Sequence, residues 1–139
     1  MLDNQDSEVS IGLRCLKLEA SNFLSASNQK DVENLELFVS TLKSESKSDA
    51  IASEIFLKSG VRLDAAWEVV KISDGELFLS EAVGVVISRA LTNATINEVL
   101  EISRIQTWIF LEDAFVGRDD VKANAFFLFR QSNIAMRTI

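Results

Sequence analysis

The stretch Thr95–Val116, TINEVLEISRIQTWIFLEDAFV, decides the fold that the sequence predicts. Thr95 and Glu98 have the spacing of a capping box, in which both side chains accept hydrogen bonds from amides of the first helical turn. Apolar residues then recur at steps of three and four, and in the last two turns they surround the helix axis. The pattern predicts one long buried helix that ends at Gly117.

Polar turns separate further apolar segments on both sides of this stretch. Helical spacing predicts additional helices over residues 7–25, 29–44, 48–58, 80–91 and 119–136. The third of these begins at Ser48 or Asp49 and ends at Ser59-Gly60, and the last begins at Asp119 or Asp120. The chain has no proline, so no residue forces a helix to stop. We therefore expect an all-α fold, an irregular bundle of six or seven helices that forms a single acidic helical domain over residues 1–139.

Two segments permit a second interpretation. Asp64 can cap a helix that continues to Val70, but the segments 69–72 and 76–79 flank Ser73-Asp74-Gly75, a typical hairpin turn. We favour the helix; the hairpin would instead give an α+β fold with a small hairpin near residues 67–79. The run NAFFLFR, residues 124–130, also fits a buried strand, because a short aromatic run does not distinguish the two structures.

The charge balance limits the classes of partner. With 14 basic and 21 acidic residues the net charge is −7, which disfavours binding to nucleic acid or to an anionic membrane and favours a basic protein partner. From Val121 onward the only charged residues are basic: Lys122, Arg130 and Arg137. We see neither a secretory signal nor an uncharged run long enough to span a membrane, so we expect a cytoplasmic protein.

The chain offers little material for catalysis. It has no histidine and one cysteine, Cys15, which excludes His-dependent nucleophile pairs and internal disulfides. Cys15 is expected to be a small core residue. No glycine-rich phosphate loop or C-x-x-C motif occurs. Carboxylates that could hold Mg²⁺ or Ca²⁺ are present: Glu98 and Glu101 one turn apart, and Glu112, Asp113, Asp119 and Asp120 around Gly117. The stronger explanation is structural, because Asp119 and Asp120 fit the start of the last helix and Glu98 fits the capping box. We expect a protein that is not an enzyme, with no cofactor and no metal.

Our first functional hypothesis is a non-enzymatic protein-binding module, most concretely an acidic inhibitor or immunity-type protein that occludes a basic protein partner. Acidic residues on the second and third predicted helices would form the binding surface: Asp31, Glu33, Glu36, Glu45 and Asp49. Such a surface accelerates association with a basic partner by electrostatic steering. The competing interpretation is a solvated face that only keeps the protein soluble.

The alternative hypothesis is a structural or adaptor subunit that acts through homodimerisation of its aromatic C-terminal half. Tryptophan and phenylalanine are frequent at the centres of protein interfaces. The residues proposed for self-association are Trp108, Phe110, Phe115 and Phe127. Of these, Phe127 lies off the apolar face of the last predicted helix.

Overall fold

The structure is a computed structural model, and it describes residue 15, residues 17–23 and residues 46–139. The described part contains three α-helices, one short 3₁₀ helix over Glu112–Phe115 and a five-stranded sheet. In chain order the elements are α1 (Ser48–Lys58), β1 (Glu68–Ile72), β2 (Gly75–Ser80), β3 (Val83–Ser88), α2 (Asn93–Leu100), β4 (Thr107–Phe110), α3 (Asp119–Gln131) and β5 (Ala135–Thr138).

The sheet is mixed and its strands lie in sequence order. Strands β1, β2 and β3 form an antiparallel meander, whereas β3, β4 and β5 are parallel. Parallel neighbours require a crossover, and α2 and α3 provide the two crossovers. These two helices contact each other, and α3 packs on β5. Helix α1 instead packs on β2 and β3.

Aromatic contacts show which strand residues face each helical layer. The Phe110 ring lies 5.6 Å from the ring of Phe129 in α3 and 5.7 Å from that of Phe115. The Trp67 ring lies 5.8 Å from Phe56 in α1 and 5.5 Å from Phe78 in β2. Side chains alternate along a strand, so Phe110 and Phe78 identify opposite faces of the sheet. The central strands are therefore covered on both sides.

The predicted all-α bundle of six or seven helices is wrong, because the described part of the chain is an α+β structure. The long helix over Thr95–Val116 does not form: α2 ends at Leu100, and Thr107–Phe110 is strand β4. Three residues of β4, Trp108, Ile109 and Phe110, are buried. A parallel strand buried on both faces is a continuous apolar run, which resembles a helix that is apolar all round.

The predicted start at Thr95 also lies too late in the chain, because α2 begins at Asn93. The N-cap is Thr92, whose hydroxyl oxygen accepts a hydrogen bond from the Thr95 amide at 3.3 Å. Thr95 lies inside the helix and its hydroxyl donates to the Asp74 carboxylate at 2.7 Å. The predicted capping box at Thr95 and Glu98 is therefore not the start of α2.

One more predicted helix, over residues 80–91, contains strand β3 instead. The end of the last predicted helix is also wrong, because residues 135 and 136 belong to β5. The segment that permitted two interpretations forms the hairpin of β1 and β2, with Ile72 opposite Gly75 across the turn. The alternative interpretation thus matches this segment, although the sheet is larger than the small hairpin it proposed.

Helix α1 begins and ends at the predicted residues, whereas α3 begins at the predicted Asp119 but ends at Gln131, before the predicted end at residue 136. Helix α1 ends at Lys58, where Gly60 has φ of +81° and the Val61 amide donates to the Phe56 carbonyl at 3.0 Å. This bond is typical of a Schellman C-cap. Residues 17–23, which the first predicted helix includes, are not helical, and Cys15 is exposed rather than part of the core. The second predicted helix, residues 29–44, lies outside the described residues.

Candidate interaction surface on helix α3

Helix α3 has signals at both ends that fix its position. Asp119 and Asp120 lie in its first turn and Arg130 in its last, each with the sign of charge that the helix dipole favours. At its end Asn133 adopts φ of +56°, and the Ile134 amide donates to the Phe129 carbonyl at 3.0 Å. This Schellman geometry turns the chain directly into β5.

The inner face of α3 joins the core. Val121, Ala125 and Phe129 recur every four residues and are buried, so they form one row along the helix. Phe129 is fully buried, and its ring meets that of Phe110 edge to face. This row is sufficient to hold α3 against the sheet.

The outer face of α3 carries an exposed aromatic residue. Phe127 is 65% exposed, and Phe126 beside it is 42% exposed. We define the α3 stripe as Asp120, Ala123, Phe127 and Arg130, all of which are exposed. With 100° of rotation per residue, these four residues lie within an arc of about 80°. The centre of that arc is opposite the buried row.

The charged residues of the α3 stripe form no ion pairs within the described part of the chain. Lys122, which lies to one side of the stripe, pairs with Glu112 instead. The hydrogen bond from Lys122, together with one from Thr138, holds the pKa of Glu112 below its ordinary value despite partial burial. Asp120 and Arg130 are thus available to a partner at the two ends of the stripe.

The open edge of the sheet lies next to α3. Among the described residues β5 pairs only with β4, so its outer backbone groups face away from the sheet. A cavity of about 360 Å³ lies between the end of α3 and this strand, lined by Phe126, Phe129, Ile134 and Met136 among others. An unpaired edge beside exposed aromatic residues is a common feature of protein-binding surfaces.

The acidic surface predicted from the sequence lies mostly outside the described residues. Asp31, Glu33, Glu36 and Glu45 belong to that part of the chain. Asp49 is described, and it is exposed in the first turn of α1. One turn further, Glu54 accepts hydrogen bonds from the Asn22 amide at 2.7 Å and from Ser21, and pairs with Lys58. Glu54 is therefore engaged within the chain, whereas Asp49 is accessible.

The residues proposed for self-association separate into two groups. Trp108, Phe110 and Phe115 are at most 2% exposed, and the chain itself covers them. Only Phe127 is accessible to a partner. Asp120, Ala123 and Arg130 were not predicted as part of a site. Helical periodicity counted from Asp119 places them on the same face as Phe127, so this signal was present in the sequence.

The candidate metal ligands are not gathered. Among the described residues, no three of His, Cys, Asp or Glu lie close enough to hold a metal ion. Two arginines are already engaged within the chain: Arg104 pairs with Glu68, and Arg118 donates to the Leu91 carbonyl at 3.0 Å.

A polar junction that the sequence did not predict connects the hairpin to α2. The Asp74 carboxylate accepts hydrogen bonds from Thr95 at 2.7 Å and from Thr92 at 2.9 Å. These bonds, the one from Thr95 first, hold the pKa of Asp74 below its ordinary value, and the charge of Arg118 contributes. We assign this junction a structural role, because the Asp74 carboxylate and both threonine hydroxyls already have partners inside the chain.

A second concave feature lies at the other end of the molecule. It is an apolar groove of about 330 Å³ between α1 and the segment that leads to β1, with Leu57, Leu63 and Trp67 among its lining residues. Two cations at its rim are already neutralised, because Lys17 pairs with Glu19 and Arg62 with Asp64. The groove therefore offers no free charge to select an ionic ligand.

None of the helices in the described ranges has both the length and the apolar character that a membrane span requires. Comparisons with protein-family models, with curated proteins and with solved structures found no match.

Proposed function

We propose that this chain is a non-enzymatic protein-binding module that acts in the cytoplasm, and that the α3 stripe is its binding surface. The observation that carries the proposal is the exposure of Phe127 in the middle of a regular helix of 13 residues. Among the described residues, Phe127 makes no aromatic ring contact that would explain a phenylalanine at this position.

Folding gains only part of the burial free energy of the Phe127 side chain. Full burial of a phenylalanine side chain is favourable by about 1.5–3 kcal/mol, so a side chain that is 65% exposed retains about 1–2 kcal/mol for a partner. Large aromatic side chains at the centre of a contact often dominate binding. Phe126 and the open edge of β5 extend the same surface.

The proposal favours a structural or adaptor role, in which the C-terminal half of the chain joins it to another protein or to a second copy. The change that tests it is Phe127→Ser, with Leu63→Ser as a matched control. Leu63 is 56% exposed but lies between α1 and β1, away from the α3 stripe. Both variants should keep the melting temperature of the wild type.

The measurement is affinity capture from the native source with the tagged chain, combined with light scattering on the eluate. We expect one stoichiometric partner, either a different protein or the untagged chain, that is lost with Phe127→Ser and kept with Leu63→Ser. A partner that both variants retain would exclude the α3 stripe. A wild-type chain that captures nothing and is a monomer would refute the function.

The net charge of −7 supports a second candidate, the acidic inhibitor or immunity-type protein that occludes a basic protein partner. The exposed carboxylate of Asp49 is the described member of its acidic surface. In this case charge reversal at Glu33 and Glu36 should slow association with the captured partner and weaken the salt dependence of the association rate. Unchanged association kinetics would remove this candidate.

A further inference from the structure

We propose that the partner of the α3 stripe is a second copy of the chain, and that the two α3 helices pack antiparallel about a two-fold axis at the level of Ala125. This inference rests on the proposed function, because it uses the same surface. It adds the identity of the partner and the residues that meet across the interface.

The positions of the stripe residues support the two-fold axis. In an antiparallel pair of helices, a residue of one copy lies level with a residue of the other when the average of their residue numbers equals the residue number at the two-fold axis. Asp120 and Arg130 have a mean position of 125, and so do Ala123 and Phe127. One axis therefore places each acid opposite a base and each phenylalanine opposite an alanine. A C2 interface requires this kind of self-complementary patch.

The apolar pair fits sterically. With the two-fold axis at the level of Ala125, the second copy presents its Ala123 at the level of Phe127 of the first. Helix axes approach to about 8–10 Å when a small residue faces a large one. The side chain of Phe127 then covers Ala123 of the partner subunit, and the same contact is repeated on the other side of the axis. Each copy buries the aromatic surface that it leaves exposed alone.

The charged pair fits electrostatically. Asp120 and Arg130 are ten residues apart, or about 15 Å along the helix at 1.5 Å per residue. The two-fold axis places each of these charges at the level of the opposite charge of the second copy. The antiparallel arrangement also brings the positive end of one helix dipole near the negative end of the other. Neither side chain must break an ion pair first, because neither forms one within the described residues.

The size of the patch sets the expected affinity. A helix of 13 residues is about 20 Å long, so the contact is smaller than the interface of a permanent complex. We expect a reversible dimer with a Kd on the order of 10 μM. Concentrations from about 1 to 500 μM therefore cover the transition.

The experiment uses two charge reversals, Asp120→Arg and Arg130→Asp, in the full chain. Either variant alone places like charges opposite each other twice in its own dimer, so its self-association should weaken by about tenfold or more. An equimolar mixture contains one chain with two bases and one with two acids. The mixture should form a heterodimer with the affinity of the wild-type homodimer, as measured by sedimentation equilibrium.

Matched controls separate the stripe from general charge effects. Glu98 in α2 and Lys71 in β1 are exposed and form no ion pair within the described residues. Their reversals, Glu98→Arg and Lys71→Asp, change the net charge in the same way but should leave the dimer unchanged. Melting temperatures of all four variants show whether each still folds. The double variant Asp120→Arg, Arg130→Asp keeps the complementarity and should dimerise like the wild type.

Each result decides between the inference and the proposed function. Self-association of the single variants equal to that of the wild type would overturn the antiparallel geometry, as would a mixture that stays monomeric. A wild-type chain that is a monomer at about 500 μM would overturn the second copy as the partner. In that case Phe127-dependent capture of a different protein would leave the proposed function standing, whereas its absence would refute both.

Discussion

The contact between Gly84 and Trp108 permits a demanding test of the core. Gly84 in β3 lies beside Trp108 in the parallel register of β4. A Cβ atom added at Gly84 would lie 2.4 Å from Cε3 and Cζ3 of the indole ring, and 2.8 Å from Cη2. Carbon atoms in van der Waals contact are about 3.5–4.0 Å apart, so the Gly84→Ala change requires a shift of more than about 1 Å.

The shift is costly because the indole has no free space around it. Trp108 is fully buried, and it lies on a central strand that is covered on both sides. Overpacking of this kind costs about 1–3 kcal/mol, and we expect the upper half of that range for the free energy of unfolding. In a domain of this size that corresponds to a melting temperature lower by roughly 6–12 °C.

A second change tests whether the clash is the cause. Trp108→Phe replaces the fused indole ring system by one smaller ring, which takes away outer atoms that meet the added methyl group, and alone it should cost about 1–3 kcal/mol through the space it leaves. Part of this loss is offset, since the buried indole Nε1 donates no hydrogen bond within the described part of the chain. In the double variant the methyl group should occupy the vacated space.

The assay is denaturant unfolding of the wild type, both single variants and the double variant. We expect a favourable coupling free energy of about 1–2 kcal/mol between the two changes. Two results would refute the reasoning: strictly additive losses, or a Gly84→Ala variant within about 0.5 kcal/mol of the wild type.

Three further changes test other parts of the structure. Phe129→Ala should lower the free energy of unfolding by about 3–5 kcal/mol, whereas Phe127→Ala at low concentration should change it by less than about 0.5 kcal/mol; equal losses in denaturant unfolding would contradict the assignment of the two faces. Gly117 has φ of +68° with open space around it, so Gly117→Ala should cost about 1 kcal/mol through backbone strain alone, measured by the same method. Burial alone would raise the pKa of Glu54, but its hydrogen bonds, led by the one from Ser21, lower it from 4.5 to about 2. Glu54 therefore contributes stability above pH 4.5 that is lost as the pH falls towards 2, and Glu54→Gln should show a flatter loss over this range in acid unfolding.

Local signals in the sequence predicted the parts of the fold that local interactions determine. Gly60 ends α1 and Asp119 begins α3, as the sequence indicated, because caps and turns depend on a few neighbouring residues. The turn at Ser73-Asp74-Gly75 was recognised for the same reason, although we favoured the helix there. These elements need no information from distant parts of the chain.

The sheet depends on long-range pairing, which a single sequence does not display. Strands β3 and β4 are covered on both faces, so they lack the alternation that marks a half-buried strand. Gly84 does not distinguish the two structures either, because glycine weakens the interior of a strand as well as that of a helix. The position has no room for a side chain because the indole of Trp108, 24 residues further along the chain, lies against it.

The same distinction separates the aromatic residues that build the fold from the one that we assign to binding. Trp108 and Phe110 are explained once β4 has neighbours on both faces, so they carry no information about a partner. Helix α3 is different, because Val121, Ala125 and Phe129 already supply its row of buried residues. An aromatic residue on the opposite side of such a helix is not part of that row, and Phe127 is 65% exposed. We therefore assign Phe127 to binding a second molecule, and the positions of Ala123 and Arg130 beside it are the basis for proposing a second copy of the chain.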